Sequence, residues 1–224
     1  MHSFRTGQSA SEPALGSEFF AWLAANPEHQ AVFGAAMAET SRYFGPLLAE
    51  RHDFAAASTV CDVGGGNGAL LADILTAHPH LRGVLLDLPS VVEGAPAVLD
   101  RAGMGDRCEI VAGDFFTEVP AGCDRYVLKS VLHDWDDESC VRLLGTIRAA
   151  MPDGARILVL EAVVPDSGVP HPTHAFDLLM LVLTGAGRER TAREWASLFD
   201  RAGLRVDKTL DLAVLVVQEL APQE

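Results

Sequence analysis

Three features are missing from this sequence, and each absence narrows the function. There is no cluster of lysine and arginine, and 31 acidic against 17 basic residues give a formal net charge of −14. Binding to nucleic acid needs a basic face, so we expect no nucleic-acid partner. The longest apolar run, Leu178 to Leu183, is far too short to cross a membrane. Residues 1–10 lack the apolar stretch of a signal peptide, and we therefore expect a cytoplasmic protein.

The four cysteines also lack the spacing of a metal site. Cys61, Cys108, Cys123 and Cys140 are widely separated, and no CxxC pair occurs. Three of them fall in or beside predicted strands, which is typical of small core residues in a reducing compartment. We therefore expect no structural metal.

The length of 224 residues favours one large domain over two. Residues 1–16 are expected to be a flexible lead-in. From residue 17 to residue 57 the apolar spacing predicts a helical arm, which Pro27 and Pro46 should break into pieces. Residues 58–224 are expected to form an α/β domain.

An alternation of strands and helices begins at residue 58. Near-continuous apolar strands separated by helices predict a parallel sheet that is covered on both faces. Two final strand-like runs, separated by Asp211-Leu212, predict an antiparallel hairpin. The predicted strands are Thr59–Val63, Gly83–Leu88, Cys108–Ala112, Arg125–Val131, Arg156–Ala162, Leu204–Leu210 and Ala213–Glu219, and the predicted helices include Ser90–Ala102, Asp136–Ala150 and Thr191–Ala202.

The first predicted strand runs into a glycine-rich turn, DVGGGNG (residues 62–68). Glycines at this junction permit a sharp turn and a close ligand approach, and the helix that follows offers free N–H groups. Asp87, about twenty residues further on at the end of the second strand, has the position of a ribose-binding acid. Asp114 ends the third strand in the same way, although both acids could simply cap helices.

Dinucleotides and S-adenosylmethionine both bind beside such a turn. The order acid-x-Gly-x-Gly-x-Gly, the acid and aromatic residues of Gly113-Asp114-Phe115-Phe116 and the terminal hairpin favour S-adenosylmethionine. An NAD-dependent oxidoreductase is the weaker alternative.

Six segments, in this order, resemble the catalytic domain of the small-molecule O-methyltransferases, which include plant caffeic acid O-methyltransferases and bacterial polyketide-tailoring enzymes. The resemblance covers roughly residues 17–221, and the segments are DVGGGNG (62–68), LDLPSVVEGAP (86–96), GDFF (113–116), LKSVLHDWDDE (128–138), LVLEAVVP (158–165) and GRERT (187–191). It implies an α/β, Rossmann-like class I methyltransferase fold. In that fold a helical arm precedes a seven-stranded, mostly parallel sheet with a C-terminal antiparallel hairpin. Residues 58–224 would be the S-adenosylmethionine-binding catalytic domain.

The resemblance also implies the cofactor contacts, position by position. Three glycines would form the turn, one acid would hold the ribose, and a second acid with an aromatic neighbour would bind the adenine. Two residues on the arm would lie near the methionine carboxylate. The full set is Gly64, Gly66, Gly68, Asp87, Asp114, Phe115, Lys129, Arg42 and Ser41, the last two being those on the arm.

His133, in the segment that follows the fourth strand, is the predicted general base. Methyl transfer to oxygen requires alignment and removal of the hydroxyl proton. A phenol titrates near pKa 10 and histidine near 6.5, so complete proton transfer before bond formation costs about 5 kcal/mol. The resemblance adds Glu161 and Glu189 as acids that orient the imidazole and stabilise its charged form. The nearby acids Asp134, Asp136 and Asp137 leave a metal-dependent methyltransferase open, although acids at a helix start also suit the helix dipole.

The acceptor pocket is expected beside the segment from His174 to Leu181. Met180 is its first predicted contact, and Trp135, Phe33 and Met37 are further wall residues. Apolar walls of this kind suit a small aromatic substrate that bears a hydroxyl group.

Members of the family usually carry an N-terminal dimerisation domain before the arm, and this sequence starts just before the arm. The apolar faces of the arm would then be exposed, so we expect a homodimer or a second chain that supplies the missing domain. Two functions follow. The first is an S-adenosylmethionine-dependent O-methyltransferase, and the alternative is a non-catalytic or partner-dependent subunit that only binds the cofactor.

Overall fold

The chain folds around one mixed sheet with helices on both faces. The computed structural model describes residues 2–166 and 168–223. Within them the strands are β1 (Thr59–Val63), β2 (Arg82–Asp87), β3 (Cys108–Ala112), β4 (Arg125–Lys129), β5 (Arg156–Val164), β6 (Arg190–Thr191), β7 (Leu204–Leu212) and β8 (Leu215–Pro222).

Seven of these strands lie in the order β3-β2-β1-β4-β5-β8-β7, and β6 pairs with the end of β5 outside this path. Strands β1 to β5 pair in parallel, whereas β8 is antiparallel to both β5 and β7. The seven-stranded sheet and its terminal antiparallel hairpin were predicted correctly. Because β1 to β5 are parallel, their carboxyl ends and the loops that follow lie along one edge of the sheet.

Helices account for most of the remaining described residues. They are α1 (His2–Thr6), α2 (Ser11–Leu15), α3 (Phe19–Ala25), α4 (Pro27–Arg51), α5 (Ala69–Ala77), α6 (Pro89–Val92), α7 (Ala95–Arg101), α8 (Asp137–Ala150), α9 (Thr173–Leu183) and α10 (Ala192–Arg201). None of these helices is long and apolar enough to cross a membrane.

Two apolar cores lie on the two faces of the sheet. Helices α4, α5 and α7 cover one face with buried side chains such as Leu48, Leu71 and Leu99. Helices α8 and α10 cover the other face, where Leu144 and Trp195 are fully buried. Strands covered on both faces explain the continuous apolar runs in the sequence.

The first sixteen residues differ from the flexible lead-in that the sequence predicts. They contain α1 and α2, and the start of α2 with the residue before it is hydrogen-bonded to the end of α9. Ser11 Oγ donates a hydrogen bond to Leu183 O at 2.7 Å, and the Ala10 N–H donates to Val182 O at 3.0 Å. The last carbonyl groups of a helix have no helical partner, so a polar segment distant in sequence can bind them.

The arm also differs in detail, because α4 continues through Pro46 instead of ending there. An interior proline removes one helical hydrogen bond and costs about 3 kcal/mol. Burial of Phe44, Leu48 and Ala49 against the first core offsets this cost. Pro27 does begin α4, as predicted, since the first helical position needs no N–H donor.

One predicted helix and the predicted hairpin turn also differ from the structure. The helix predicted over Ser90–Ala102 is divided into α6 and α7, which are separated by Glu93 and Gly94. Gly94 favours a break, and Pro96 is accommodated in the first turn of α7. The hairpin turns at Ala213 and Val214, not at Asp211-Leu212, and Ala213 takes a φ of +77°.

Candidate active site

The turn between β1 and α5 is built from glycines in the left-handed region. Gly64, Gly66 and Gly68 have φ angles of +70°, +64° and +80°, which other residues rarely adopt. A Cβ atom on Gly66 would meet nothing within 4 Å among the described residues, whereas one on Gly65 would lie 2.5 Å from the Asp62 carboxylate. At Gly66 the turn therefore presents bare backbone to open space at the carboxyl edge of the sheet.

Asp87 connects the end of β2 to this turn. Its Oδ2 accepts a hydrogen bond from the Gly66 N–H at 2.8 Å, and its Oδ1 accepts one from the Leu88 N–H at 2.7 Å. Burial raises the pKa of Asp87, and the two N–H donors oppose that change. The Asp87 side chain does not cap α6, so the helix-capping alternative does not hold for it. Its ribose-binding role remains a prediction.

Asp62 is a buried acid that was quoted in the glycine motif but not predicted as a site residue. It is 1% exposed, and burial raises its pKa to about 7 against the charge of Lys129. Its Oδ2 has no hydrogen-bond partner among the described residues. An unpartnered buried oxygen at this edge of the sheet can accept a hydrogen bond from a ligand. The sequence signal that could have identified Asp62 as a site residue was an acid just before the glycines.

Strand β4 ends two residues earlier than predicted because the chain turns sharply at Ser130. Ser130 takes a φ of +55°, a conformation that costs about 1–3 kcal/mol in a residue other than glycine. Glu161 on β5 stabilises the turn, since its Oε1 accepts the N–H groups of Val131 and Leu132 at 2.9 and 2.7 Å. The turn leads directly into His133.

His133 is held by Glu189 and faces Glu161. Its Nδ1 lies 2.9 Å from Glu189 Oε1 and 3.7 Å from Glu161 Oε2. An ionised Glu189 accepts the Nδ1 proton, which leaves Nε2 of the neutral imidazole as the basic nitrogen. The sequence-predicted trio of His133, Glu161 and Glu189 is therefore brought together in space.

The electrostatics favour a charged imidazole. Burial disfavours the charge on His133, but Glu161, Glu189 and Asp134 outweigh burial and raise the pKa of His133 to about 10. Burial also raises the pKa of Asp134 to about 7, and it raises the pKa of Glu161. His133 is thus a strong base whose protonated form is stabilised at neutral pH.

Gly187 allows the loop that carries Glu189 to approach His133. A Cβ atom at Gly187 would lie 2.3 Å from Thr184 Oγ1 and 2.4 Å from the carbonyl oxygen of His133. Only a residue without a side chain fits between these two segments.

Six aromatic side chains, including Trp135 two residues after His133, contact one another, and we refer to them as the aromatic cluster. Trp135 stacks on Phe20 with ring centroids 6.1 Å apart, and it lies nearly perpendicular to Phe116 with ring centroids 4.7 Å apart. The cluster joins the arm to the loops after β3 and β4, and its members are Phe19, Phe20, Phe33, Phe115, Phe116 and Trp135. Phe20 and Phe116 were missed as site residues, because only the fold brings them against Trp135.

The other predicted residues are distributed around this edge. Lys129 Nζ donates to Thr40 Oγ1 at 3.2 Å, which joins β4 to α4, and burial lowers the pKa of Lys129. Asp114 is exposed, and its Oδ1 accepts the Phe116 N–H at 2.8 Å. Gly64 and Phe115 are close, since a Cβ on Gly64 would lie 3.5 Å from the Phe115 ring.

The arm residues are less clearly placed at the site. Ser41 is buried and donates its hydroxyl to Met37 O, whereas Arg42 is exposed and pairs with Glu39 on the same helix. Met37 is 37% exposed and Met180 is buried on α9. The structure gives Arg42 and Ser41 local partners on α4, and their predicted role at the cofactor remains untested.

His133, Glu161 and Glu189 could also be considered as metal ligands. Among the described residues they are the only group of three or more His, Cys, Asp or Glu side chains whose ligand atoms all lie within 4.8 Å of one another. However, Glu161 Oε1 and His133 Nδ1 are already engaged in hydrogen bonds. The arrangement is therefore suited to holding a proton, and the prediction of a metal-free site remains open.

Comparison with known proteins identifies the kind of domain that carries this site. A model described as an O-methyltransferase domain matches residues 2–205. The O-demethylpuromycin-O-methyltransferase of Streptomyces alboniger is 45% identical over 92% of the chain. The chain spans 56% of the length of that relative.

Two solved structures are similar over 99% of the chain. The mitomycin 7-O-methyltransferase superposes with a TM-score of 0.93 at 40% identity, and the chain covers 65% of it. An O-methyltransferase from neocarzinostatin biosynthesis, in complex with S-adenosylmethionine and 2-hydroxy-5-methyl naphthoic acid, superposes with a TM-score of 0.89 at 37% identity, and the chain covers 66% of it.

Proposed function

The chain belongs to the O-methyltransferase domain family with the class I methyltransferase fold, and from this premise we propose that it methylates a hydroxyl group of a small aromatic molecule with S-adenosylmethionine as donor. The observation that carries the proposal is the position of His133. A partly buried imidazole, paired with Glu189 and facing Glu161, lies at the same sheet edge as the glycine turn.

The residues at the glycine turn fit this cofactor. Gly66 faces open space, Asp62 Oδ2 is buried without a partner among the described residues, and Asp87 is fixed beside the turn. Gly64, Gly66 and Gly68 would approach the cofactor with bare backbone, while Asp87 would accept hydrogen bonds from hydroxyl groups of its ribose. When bound, S-adenosylmethionine supplies an electrophilic methyl group on a sulfonium centre.

His133 removes the proton from the acceptor hydroxyl. Nδ1 is occupied by Glu189, so Nε2 is the atom that accepts the hydroxyl proton. The methyl group would pass to the oxygen from the sulfonium sulfur, and the cofactor would leave as a neutral thioether. Glu161 and Glu189 stabilise the imidazolium that results. An imidazole with a pKa of about 10 matches a phenol, so the proton transfer is nearly balanced in free energy.

The acceptor class follows from the aromatic cluster. The six rings of the aromatic cluster, which includes Trp135 two residues after His133, provide faces and edges against which a planar ring can pack. The neocarzinostatin enzyme, crystallised with a naphthoic acid, supports the same choice. Nothing in the geometry or the relatives favours the alternative of a non-catalytic subunit.

A partner is a further part of the proposal. On α9 the side chains of Phe176, Leu178, Leu179 and Val182 are 41–64% exposed, which supports the predicted homodimer or second chain. Light scattering of the purified chain tests the homodimer, and a monomer at all concentrations would contradict it and leave the second chain. The expected cytoplasmic location remains a prediction.

Calorimetry and methyl-transfer assays test the function. We expect S-adenosylhomocysteine to bind and NAD not to bind, and we expect a hydroxynaphthoic acid or another phenol to gain a methyl group. His133→Ala should lower turnover by about 10²–10⁴-fold while cofactor affinity is kept, and His80→Ala is the control because His80 contacts only the Phe54 carbonyl among its described hydrogen-bond partners. Absence of cofactor binding, or full activity of His133→Ala, would refute the proposal. Loss of activity with EDTA, restored by magnesium, would favour the metal-dependent alternative.

A further inference from the structure

Arg190 is a fully buried arginine that the proposed chemistry does not use. It follows Glu189 in the chain, is 0% exposed, and its guanidinium lies 4.9 Å from the centre of the Trp195 ring. Burying a cation is costly unless its donors are satisfied. The identity of its partners therefore indicates why an arginine stands here.

The partners of Arg190 lie on both sides of the base. Nη1 donates to the carbonyl oxygen of Leu132 at 3.2 Å, and Nη2 donates to that of Trp135 at 2.9 Å. These two residues flank His133 and Asp134 in the chain. The guanidinium fork therefore fixes the backbone immediately before and after the segment that carries the imidazole.

A counter-ion fixes the guanidinium itself. Asp137, at the start of α8, accepts hydrogen bonds from Nε at 2.9 Å and from Nη2 at 2.7 Å. The Arg190 ion pair lowers the pKa of Asp137 against the effect of burial, so this carboxylate is ionised throughout the neutral range. The position of Arg190 is thus set by α8, independently of Glu189.

We propose that Arg190 is a positioning residue for the general base. Glu189 holds the imidazole ring through Nδ1, and Arg190 holds the backbone on either side of the same residue. Together they set the direction of Nε2. This inference rests on the proposed methyl transfer, since it assigns a role to Arg190 only through His133.

The test uses Arg190→Lys, which keeps the charge but cannot reach both carbonyl oxygens with a planar fork. We expect kcat to fall by about 10²-fold, because a displacement of about 1 Å in a catalytic group has this effect. The KM of the acceptor and the affinity for S-adenosylhomocysteine should change by less than about threefold, because Arg190 binds neither. In a His133→Ala background the same substitution should have almost no further effect on kcat.

A direct measurement on the base separates positioning from mere stability. The pKa of His133, followed by NMR of histidine-labelled protein and assigned with His133→Gln, should fall by about one unit in Arg190→Lys as the imidazole moves relative to its acids. Asp137→Asn is the second variant if Arg190→Lys does not fold. It weakens the ion pair of Arg190 at a partly exposed position, and it should also lower the pKa of His133. Arg201→Lys is the control, because Arg201 also pairs with Asp137 but bonds to neither carbonyl.

The outcomes are distinct. Unchanged kcat and an unchanged His133 titration in the folded variants would overturn the role of Arg190. An equal loss of activity with and without His133 would also overturn it. If the wild-type chain methylates nothing, the proposed function fails, whereas the titration of His133 still decides whether Arg190 positions the imidazole.

Discussion

Replacing Glu189 by glutamine tests the electrostatics of the base most directly. The amide keeps an oxygen that can accept the Nδ1 proton 2.9 Å away but removes one negative charge. Raising the pKa of His133 from 6.5 to about 10 corresponds to about 5 kcal/mol of extra stabilisation of the imidazolium. Glu161 and Asp134 also raise the pKa of His133 and remain in the variant, so we expect the pKa to fall by about 1–2 units and not to its ordinary value.

The sign of the pH dependence follows from the need for a neutral imidazole. Below its pKa, His133 is protonated and cannot accept a proton, so kcat/KM should rise about tenfold per pH unit until it levels off near pH 10. In Glu189→Gln it should level off about 1–2 pH units lower and at a smaller limiting value, because a weaker base removes the proton less effectively. One acceptor is used throughout, so that ionisation of its hydroxyl group is the same in both enzymes.

The pH dependence of folding stability should also follow the titration of His133. The folded-state pKa of His133 is raised above its unfolded value of 6.5, so its stabilisation is fully present below that pH and is lost as pH rises through about 10. Thermal unfolding of Glu189→Gln should therefore depend less on pH across this range. Glu138→Gln is the control, because it removes the same charge from an exposed position that pairs with Arg201. An identical pH midpoint in wild type and Glu189→Gln, or a wild-type rate that falls between pH 7 and 10, would refute the reasoning.

Three further predictions concern the frame of the site. Gly187→Ala should destabilise the fold by about 1–3 kcal/mol, measured by urea unfolding, because its Cβ would overlap Thr184 Oγ1; a neutral effect would show that the loop can move. Asp87→Ala should weaken S-adenosylhomocysteine binding at least about tenfold in calorimetry, since the bond to the Gly66 N–H is also lost. Asp62→Asn should remove a fall in stability of roughly 4 kcal/mol between about pH 4 and pH 7, because ionising a buried carboxyl with a pKa of about 7 destabilises the folded state; equal pH profiles of unfolding would contradict this.

The sequence by itself determined the sheet and the location of the glycine turn. Strands that are apolar throughout can be stable only between two layers of helices, and glycines after the first strand have few other reasons to occur together. The strand bounds of β1 and β3 were predicted without error. The resemblance to the O-methyltransferases supplied Glu161 and Glu189 as companions of His133, and the three side chains are close in space. The strands and the glycine turn depend on residues that are close together in the sequence, so they can be predicted without the tertiary structure.

Only the tertiary structure decided which distant segments meet at the base. In the sequence Arg190 lies in a charged segment that predicts a loop. Parallel pairing of β6 with β5 places it against the backbone on both sides of His133. Phe20 reads as one apolar helix residue among several, yet it stacks on Trp135. Such contacts join residues more than fifty positions apart, and their energy depends on a packed geometry that no local propensity specifies.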